Sequence, residues 1–497
     1  MTDPERTPIA APGTWWSRYG ASMSGLAISS VAHATLLLAF ALILIPAAGL
    51  QEALFVTTLA PIDNVRLDNA AHMEILPEQL NEREVDGARD RSDGLRFNDV
   101  PSHFSSSFND DPIQLQLDLR QILGPNTDVN SEFAGRSEAA RAALVEAFGG
   151  TSESEAAVGN GLRWLAEHQQ GDGSWNFHHI HDACGEECSH PGTHSPYSIA
   201  ATSLALLCYL GAGHTHQDGS YRDEVEQGLN YLLEQIRPDD YGSNLRDPGD
   251  PGMYSQGLAT IVLCEAYGLS RDPLLKRPAQ FAVNYVQNAQ HPEDGGWRYE
   301  FRTPNQPGDT SVAGWQIMAL TSAKMSGIKV SRDSLRLADR FLETVSLADG
   351  AFYGYTTPEK RPSTTAVGLL CRMYLGRKRN HPALNQGVAF LSTIGPSRQN
   401  MYYNYSATQV IHHWGGNEWT RWNAVMRDQL VNSQERDGHA AGSWSPVNSD
   451  GSHRDPHGST AGGRHYATCF AILTLEVYYR HLPLYQRHAV EADLSVQ

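Results

Sequence analysis

Two stretches decide the fold: GLRWLAEHQQGDGSW at Gly161–Trp175 and VNYVQNAQHPEDGGW at Val283–Trp297. Each runs from an aromatic-apolar helical end through a Gln to a Gly-aromatic corner. Fainter copies are RFLETVSLADGAFY at Arg340–Tyr353 and QLVNSQERDGHAAGSW at Gln429–Trp444. GLNYLLEQ at Gly228–Gln235 and GVAFLSTIG at Gly387–Gly395 keep the helical end alone. The anchors Trp164, Tyr231, Tyr285, Phe341, Phe390 and Leu430 recur every 40–67 residues. Self-similarity at such a period is the mark of a repeat architecture.

Each copy is followed by a second helical stretch rich in small and apolar residues. In order these are SIAATSLALLCYLGAG, MYSQGLATIVLCEAYG, TSVAGWQIMALTSAKM, TTAVGLLCRMYLG, NYSATQVIHHWGG and YATCFAILTLEVYY. A helix that is apolar nearly all round is buried, whereas an amphipathic one covers it. Six such pairs predict an all-α fold over residues 151–485, an (α/α)6 toroid with an inner ring wrapped by an outer ring. Cys208, Cys264, Cys371 and Cys469 each fall in an inner stretch among apolar neighbours, as buried structural thiols do.

Ahead of the repeats the chain changes character twice. Leu26–Ala48 reads LAISSVAHATLLLAFALILIPAA without a charged residue, long enough for one transmembrane helix placed at 25–50. Arg6 and Arg18 precede it and no Lys or Arg follows until Arg66, which puts residues 1–24 in the cytoplasm and the bulk of the chain outside the inner membrane. Residues 51–150 hold 18 Asp/Glu and 8 Lys/Arg, a composition expected of a mostly disordered acidic tether. Residues 486–497 are expected to be a C-terminal tail. The whole chain carries 56 acids and 38 bases, a net charge of −18, which argues against nucleic acid as a partner. It has no G-x-x-x-x-G-K-[ST] loop and no G-x-S-x-G elbow, so nucleotide-driven chemistry and serine hydrolysis have no support.

The Q-x-x-x-G-x-W-like ends, best at Gln169–Trp175, Gln290–Trp297 and Gln434–Trp444, resemble the repeats of the terpenoid cyclase and protein prenyltransferase superfamily. That resemblance, over residues 153–485, implies a squalene cyclase-like toroid with an aromatic-lined cavity for an isoprenoid or other lipid ligand. It also implies cyclisation or prenyl transfer if the protein is an enzyme. Two catalytic sets of the superfamily are incomplete here. The Asp-x-Asp-Asp-Thr acid motif of squalene–hopene cyclases is matched by Gln306-Pro307-Gly308-Asp309-Thr310, with Gly308 at the proton donor's place. The zinc-binding D-x-C-x-x-x-W-Q of prenyltransferase β subunits is matched by Asp309, Trp315 and Gln316, with Ser311 at the cysteine. Asp309 is the catalytic candidate, or else the N-cap of its helix. Trp315, Tyr402, Tyr403, Tyr405, His412, His413, Trp414 and His465 are the candidates for lining a cavity, or else core residues with satisfied polar tips.

The densest group of reactive side chains is His178, His179, His181, Cys184, Cys188, His190 and His194, within 17 positions. Three readings stand: a Cys184–Cys188 disulfide, a divalent-metal site using one or both thiolates with neighbouring histidines, and a solvated loop. Cys184-Gly185-Glu186 also resembles the reactive motif of complement-type thioester domains, but Glu187 replaces the Gln whose ammonia that bond releases. Within the anchor, the Ser29-x-x-x-His33 spacing resembles that of TonB-type energy transducers, which implies a proton-driven membrane complex as partner. Two rivals to the isoprenoid reading follow: a non-catalytic interaction scaffold, and a polysaccharide-acting toroid, since polysaccharide lyases share the architecture.

Overall fold

The structure, a computed structural model, describes residues 133–181, 184, 188–249 and 251–485. The expected anchor at 25–50, most of the expected tether and the tail at 486–497 lie outside the described residues. Among the described residues no helix is long and apolar enough to cross a membrane.

Fourteen α-helices and two short two-stranded ribbons make up the described part. A first helix, α1 (Glu138–Ala147), precedes six pairs. The outer member comes first in each pair: α2 (Ser152–Glu167), α4 (Arg222–Glu234), α6 (Pro273–Asn288), α8 (Arg332–Thr344), α10 (Pro382–Ile394) and α12 (Gly416–Asn432). The inner members are α3 (Ser198–Gly211), α5 (Met253–Ser270), α7 (Thr310–Met325), α9 (Pro362–Tyr374), α11 (Met401–Trp414) and α13 (Gly458–Leu475). A last turn, α14 (Val477–Arg480), follows. The ribbons β1–β2 (Arg237–Asp239, Gly242–Asn244) and β3–β4 (Ser346–Leu347, Phe352–Tyr353) occupy two corners.

The ring closes. Each inner helix packs against the inner helix before and after it, and α13 packs against α3. Their first turns meet one another: the Tyr254 hydroxyl lies 2.8 Å from that of Ser311, and Tyr402 N–H donates to Asp455 just ahead of α13. The last turns meet as well, with Ser326 Oγ–H donating to the Cys264 carbonyl. The six inner helices therefore run parallel around one axis. All but the first residue of α3 are buried, which is what its continuous apolar sequence requires.

The motif that revealed the repeats is a brace. Gln169, Gln290 and Gln434 each donate through Nε2 to a corner carbonyl and to a carbonyl of the next outer helix, Glu224, Ser334 and Ala157 respectively. The Gln434 bond reaches α2, so the sixth corner holds the first repeat. The indoles of Trp175, Trp297 and Trp444 are buried and return Nε1–H to Leu165, Val286 and Leu430 near the end of their own outer helix. Glycine in these corners is obligatory on two counts. Gly295 has φ +83°, and a Cβ there would stand 2.2 Å from the Leu337 carbonyl oxygen.

One boundary differs from the composition-based reading. Residues 133–147, assigned to the tether, fold onto the toroid: Ala140 and Leu144 are buried, and α1 packs against α14. An alanine-rich amphipathic turn inside an acidic stretch is diluted by window averaging, and its partner lies more than 300 residues away in sequence.

Candidate functional site

Helix polarity gives the two ends of the barrel opposite chemistry. The inner helices start at one end, the mouth, where unsatisfied N–H groups attract carboxylates, and finish at the other, the base, where carbonyls attract cations.

At the mouth, Asp309 Oδ1 accepts the amide of Val312 at 2.9 Å and the hydroxyl of Ser311 at 2.6 Å, capping α7. Its Oδ2 pairs with the Arg298 guanidinium at 3.1 Å. Burial pushes its carboxyl up, and the Ser311, Val312 and Arg298 contacts offset only part of that. Arg298 donates to the Tyr355 hydroxyl at 3.2 Å and lies over the rings of Tyr299 and Tyr355 at 4.5 and 5.3 Å. Tyr299 and Tyr355 join hydroxyl to hydroxyl. Tyr254 bonds Ser311, and Tyr402 donates to the Ser311 carbonyl at 3.4 Å. Tyr254, Tyr299, Tyr355, Tyr402 and Tyr466 are all half-buried. Two other buried carboxylates near the mouth are occupied by amides: Asp247 caps α3 through Ile199 and Ala200, and Asp455 accepts from Tyr402, His457 and Gly458.

Along the axis the barrel is filled. Trp315 stacks on Tyr405 at 5.9 Å with 14° between the rings, and Phe470 closes on both edge-on. Beneath this layer a cavity of about 20 Å3, lined by Leu207, Ile261, Met318 and Tyr405 among others, has room for about one water. The base is sealed by charge: Glu265 of α5 pairs with Arg136 at 2.7 Å and Arg480 at 3.0 Å, and Arg480 pairs with Glu476 at 3.3 Å. Both guanidiniums also donate to C-terminal carbonyls of α3, Arg136 to Leu210 and Arg480 to Leu207. All four side chains are at most 2% exposed.

The residues expected to line one cavity are thus dispersed. Trp315 and Tyr405 face the axis, and Tyr402 faces the mouth. Tyr403 turns outward, against Trp422, and donates to the Gly395 carbonyl. His412 and His413 are buried in the last turn of α11, at the end of the helix opposite Asp309, because ten residues of helix separate them from Tyr402. Trp414 caps that end under Arg379. His465 binds the Ala201 carbonyl at 2.9 Å, tying α13 to α3.

The histidine-cysteine loop also resolves. Cys184 and Cys188 are both buried and are not bonded to each other in this structure. Cys184 and Cys188 converge with His168 and His439, their ligand atoms lying within 4.8 Å of one another. Burial pushes the His168 imidazole down to about 4, leaving it neutral near pH 7. Of the predicted histidines, His179 and His181 sit beside this group, their rings 5.5 and 5.9 Å from His168. His178 is exposed, His190 binds Ser189 and Arg464, and His194 lies against Tyr197. His168 and His439 escaped sequence reasoning because they lie in corners 271 positions apart, where nothing in the local pattern separates a ligand from a corner residue.

No family model and no curated protein matches the chain. Solved structures do overlap it. An α-1,6-mannanase from Salegentibacter sp. is 8% identical, covering 66% of this chain and 99% of its own, with a TM-score of 0.45. The type II terpene cyclase MstE from Scytonema is 13% identical over 66% and 98%, at 0.43. A cellobiose 2-epimerase from Bacillus thermoamylovorans is 10% identical over 64% and 97%, at 0.45. Overlaps this distant assign no activity; the toroid rests on this chain's own closed ring of inner helices.

Proposed function

We propose that this protein is a membrane-tethered α/α toroid whose mouth binds a hydroxylated, sugar-like chain without transforming it. One observation carries the reading: the axis is filled while the mouth presents half-buried tyrosines around Ser311 and Arg298. An isoprenoid needs an enclosed apolar cavity of roughly 300–1,000 Å3, against about 20 Å3 beneath Trp315. Half-buried tyrosines whose phenolic hydroxyls lie beside a guanidinium suit a ligand that is apolar on its ring faces and polar at its edges. Catalysis has less support, because the mouth's buried carboxylates are engaged by helix amides and Arg298 rather than paired as acid and base.

The apolar run at 25–50, with arginines only on its N-terminal side, supports an inner-membrane anchor that holds the toroid outside the cytoplasm. Ser29 and His33 in that run support a proton-driven membrane complex as partner.

The test is affinity electrophoresis and calorimetry of the full chain against bacterial and plant polysaccharides and against long-chain isoprenyl lipids. Retardation by a polysaccharide, weakened about tenfold or more by Tyr402→Ala together with Tyr254→Ala, is the expected outcome. Isoprenyl lipid binding without polysaccharide binding would return the function to the isoprenoid class. Release of reducing ends or modified sugar, abolished by Asp309→Asn, would make the protein an enzyme.

A further inference from the structure

The geometry points to a zinc site formed by His168, Cys184, Cys188 and His439, which fastens the first repeat to the sixth across the seam of the ring. One ligand atom from each residue lies within 4.8 Å of the other three, and His168 Nε2 is 3.0 Å from Cys188 Sγ. Zinc bonds of about 2.0–2.3 Å place tetrahedral ligand atoms roughly 3.3–3.8 Å apart. Adjustments of about an ångström therefore bring the four groups to bonding distance.

The surroundings are prepared for a metal. His168 Nδ1 lies 2.7 Å from the Trp164 carbonyl, which takes its proton and leaves the Nε2 lone pair facing the thiols. This is the usual outer support of a zinc-bound imidazole. Trp164 stacks on the same ring at 4.0 Å and fixes its plane. His439 Nε2 is buried and has no hydrogen-bond partner among the described residues, so a metal is the partner its lone pair lacks. Cys184 Sγ points at the His179 carbonyl, 3.8 Å away. Two thiolates and two neutral imidazoles cancel the charge of Zn2+, which is the condition for burying the ion. Loading is balanced without an oxidant: the two thiols release two protons to solvent as two Zn–S and two Zn–N bonds form.

The location gives the site its purpose. His168 closes α2, and both cysteines lie in the loop before α3, whereas His439 lies in the corner between α12 and α13. Neighbouring repeats elsewhere in the ring are joined by the chain itself. The first and sixth are not, so a metal here supplies the covalent link that the ring lacks. It adds to Gln434, which donates to the Ala157 carbonyl, and Arg464, which donates to Ser189.

The experiment uses the reduced full chain, loaded with zinc and dialysed, with metal counted by mass spectrometry. About one zinc per chain is expected. His439→Ala and Cys188→Ser should lose it, and His178→Ala should keep it. Chelator should lower the thermal midpoint of the parent and leave that of Cys184→Ser/Cys188→Ser unmoved. Cobalt in place of zinc should give the parent a thiolate-to-cobalt charge-transfer band, a readout that holds even if the variants misfold. Failure of the reduced parent to take up zinc or cobalt, a cobalt spectrum without that band, or undiminished zinc in His439→Ala would each overturn the proposal. So would a Cys184–Cys188 disulfide in a metal-free chain purified without reductant.

Discussion

Glu265→Gln at the base of the barrel gives the sharpest test of how the axis is held. The carboxylate is 2% exposed and lies 2.7 Å from Arg136 and 3.0 Å from Arg480. Glutamine keeps its shape but leaves two buried guanidiniums facing a neutral amide. Removing one partner of a buried ion pair costs about 3–5 kcal/mol, because the orphaned charge cannot return to water. Glu265 is the ionised partner of both guanidiniums, since burial raises the Glu476 carboxyl to about 8, so the full range applies. Unfolding entropy of about 2.1 cal/mol/K per residue over roughly 350 folded residues gives ~0.7 kcal/mol/K, so the thermal midpoint should fall by ~4–7 °C. Scanning fluorimetry reads that shift, and hydrogen exchange should show faster opening of residues 133–147 and 477–485, whose arginines meet on Glu265. The double variant Arg136→Met/Glu265→Leu should recover only part of the loss, since the apolar replacement removes the desolvation cost of Arg136 while Arg480 stays buried. A midpoint within 1 °C of the parent for Glu265→Gln, with unchanged exchange at both termini, would refute the reasoning.

Three further outcomes follow from the same geometry. Gly295→Ala should destabilise by about 1–3 kcal/mol or more, because φ +83° is strained for alanine and its methyl meets the Leu337 carbonyl. Gly171→Ala, with nothing within 4 Å of the new methyl, should be close to neutral, and urea titration of the two variants reads the difference. Gln434→Ala removes two hydrogen bonds and should cost about 2–3 kcal/mol. Limited proteolysis should then open the seam at α2 and α12 before the rest of the ring. Stability should fall as pH rises from about 6.5 to 8. Burial raises the Asp247 and Glu476 carboxyls to about 7 and about 8, so the folded state holds their protons and loses stability as pH climbs from about 4.5 towards 8. Burial lowers the His214 imidazole to about 4, so the unfolded chain takes that proton first, which offsets part of the carboxyl effect below about 6.5. A thermal midpoint that rises steadily from pH 6 to 8 would contradict these assignments.

The paired helices were legible because their cause is local. A stretch such as SIAATSLALLCYLG can only be buried, and RDSLRLADRFLET can only cover it, so order and pairing follow from period alone. The corners were legible for the same reason: their Gly, Gln and Trp answer to backbone geometry and hydrogen bonds formed within or beside one repeat. Asp309 could be named as a cap, since capping is settled within three residues.

What period could not supply was which residues face each other across the ring. Tyr403 and Tyr405 are two positions apart, yet about 200° of helical turn sends one outward to Trp422 and the other to Trp315 on the axis. Glu265 is a carboxylate within an apolar helix, and its partners Arg136 and Arg480, 344 positions apart, meet it only at the base of the ring. Cys184 and Cys188 were visible as a reactive pair, but His439 joins them only because the sixth repeat closes on the first. Sequence by itself determined the repeat, its helices and its corners, all set by contacts short along the chain. Tertiary structure decided the filled axis, the tyrosine mouth and the four-residue cluster at the seam, because each depends on ring closure.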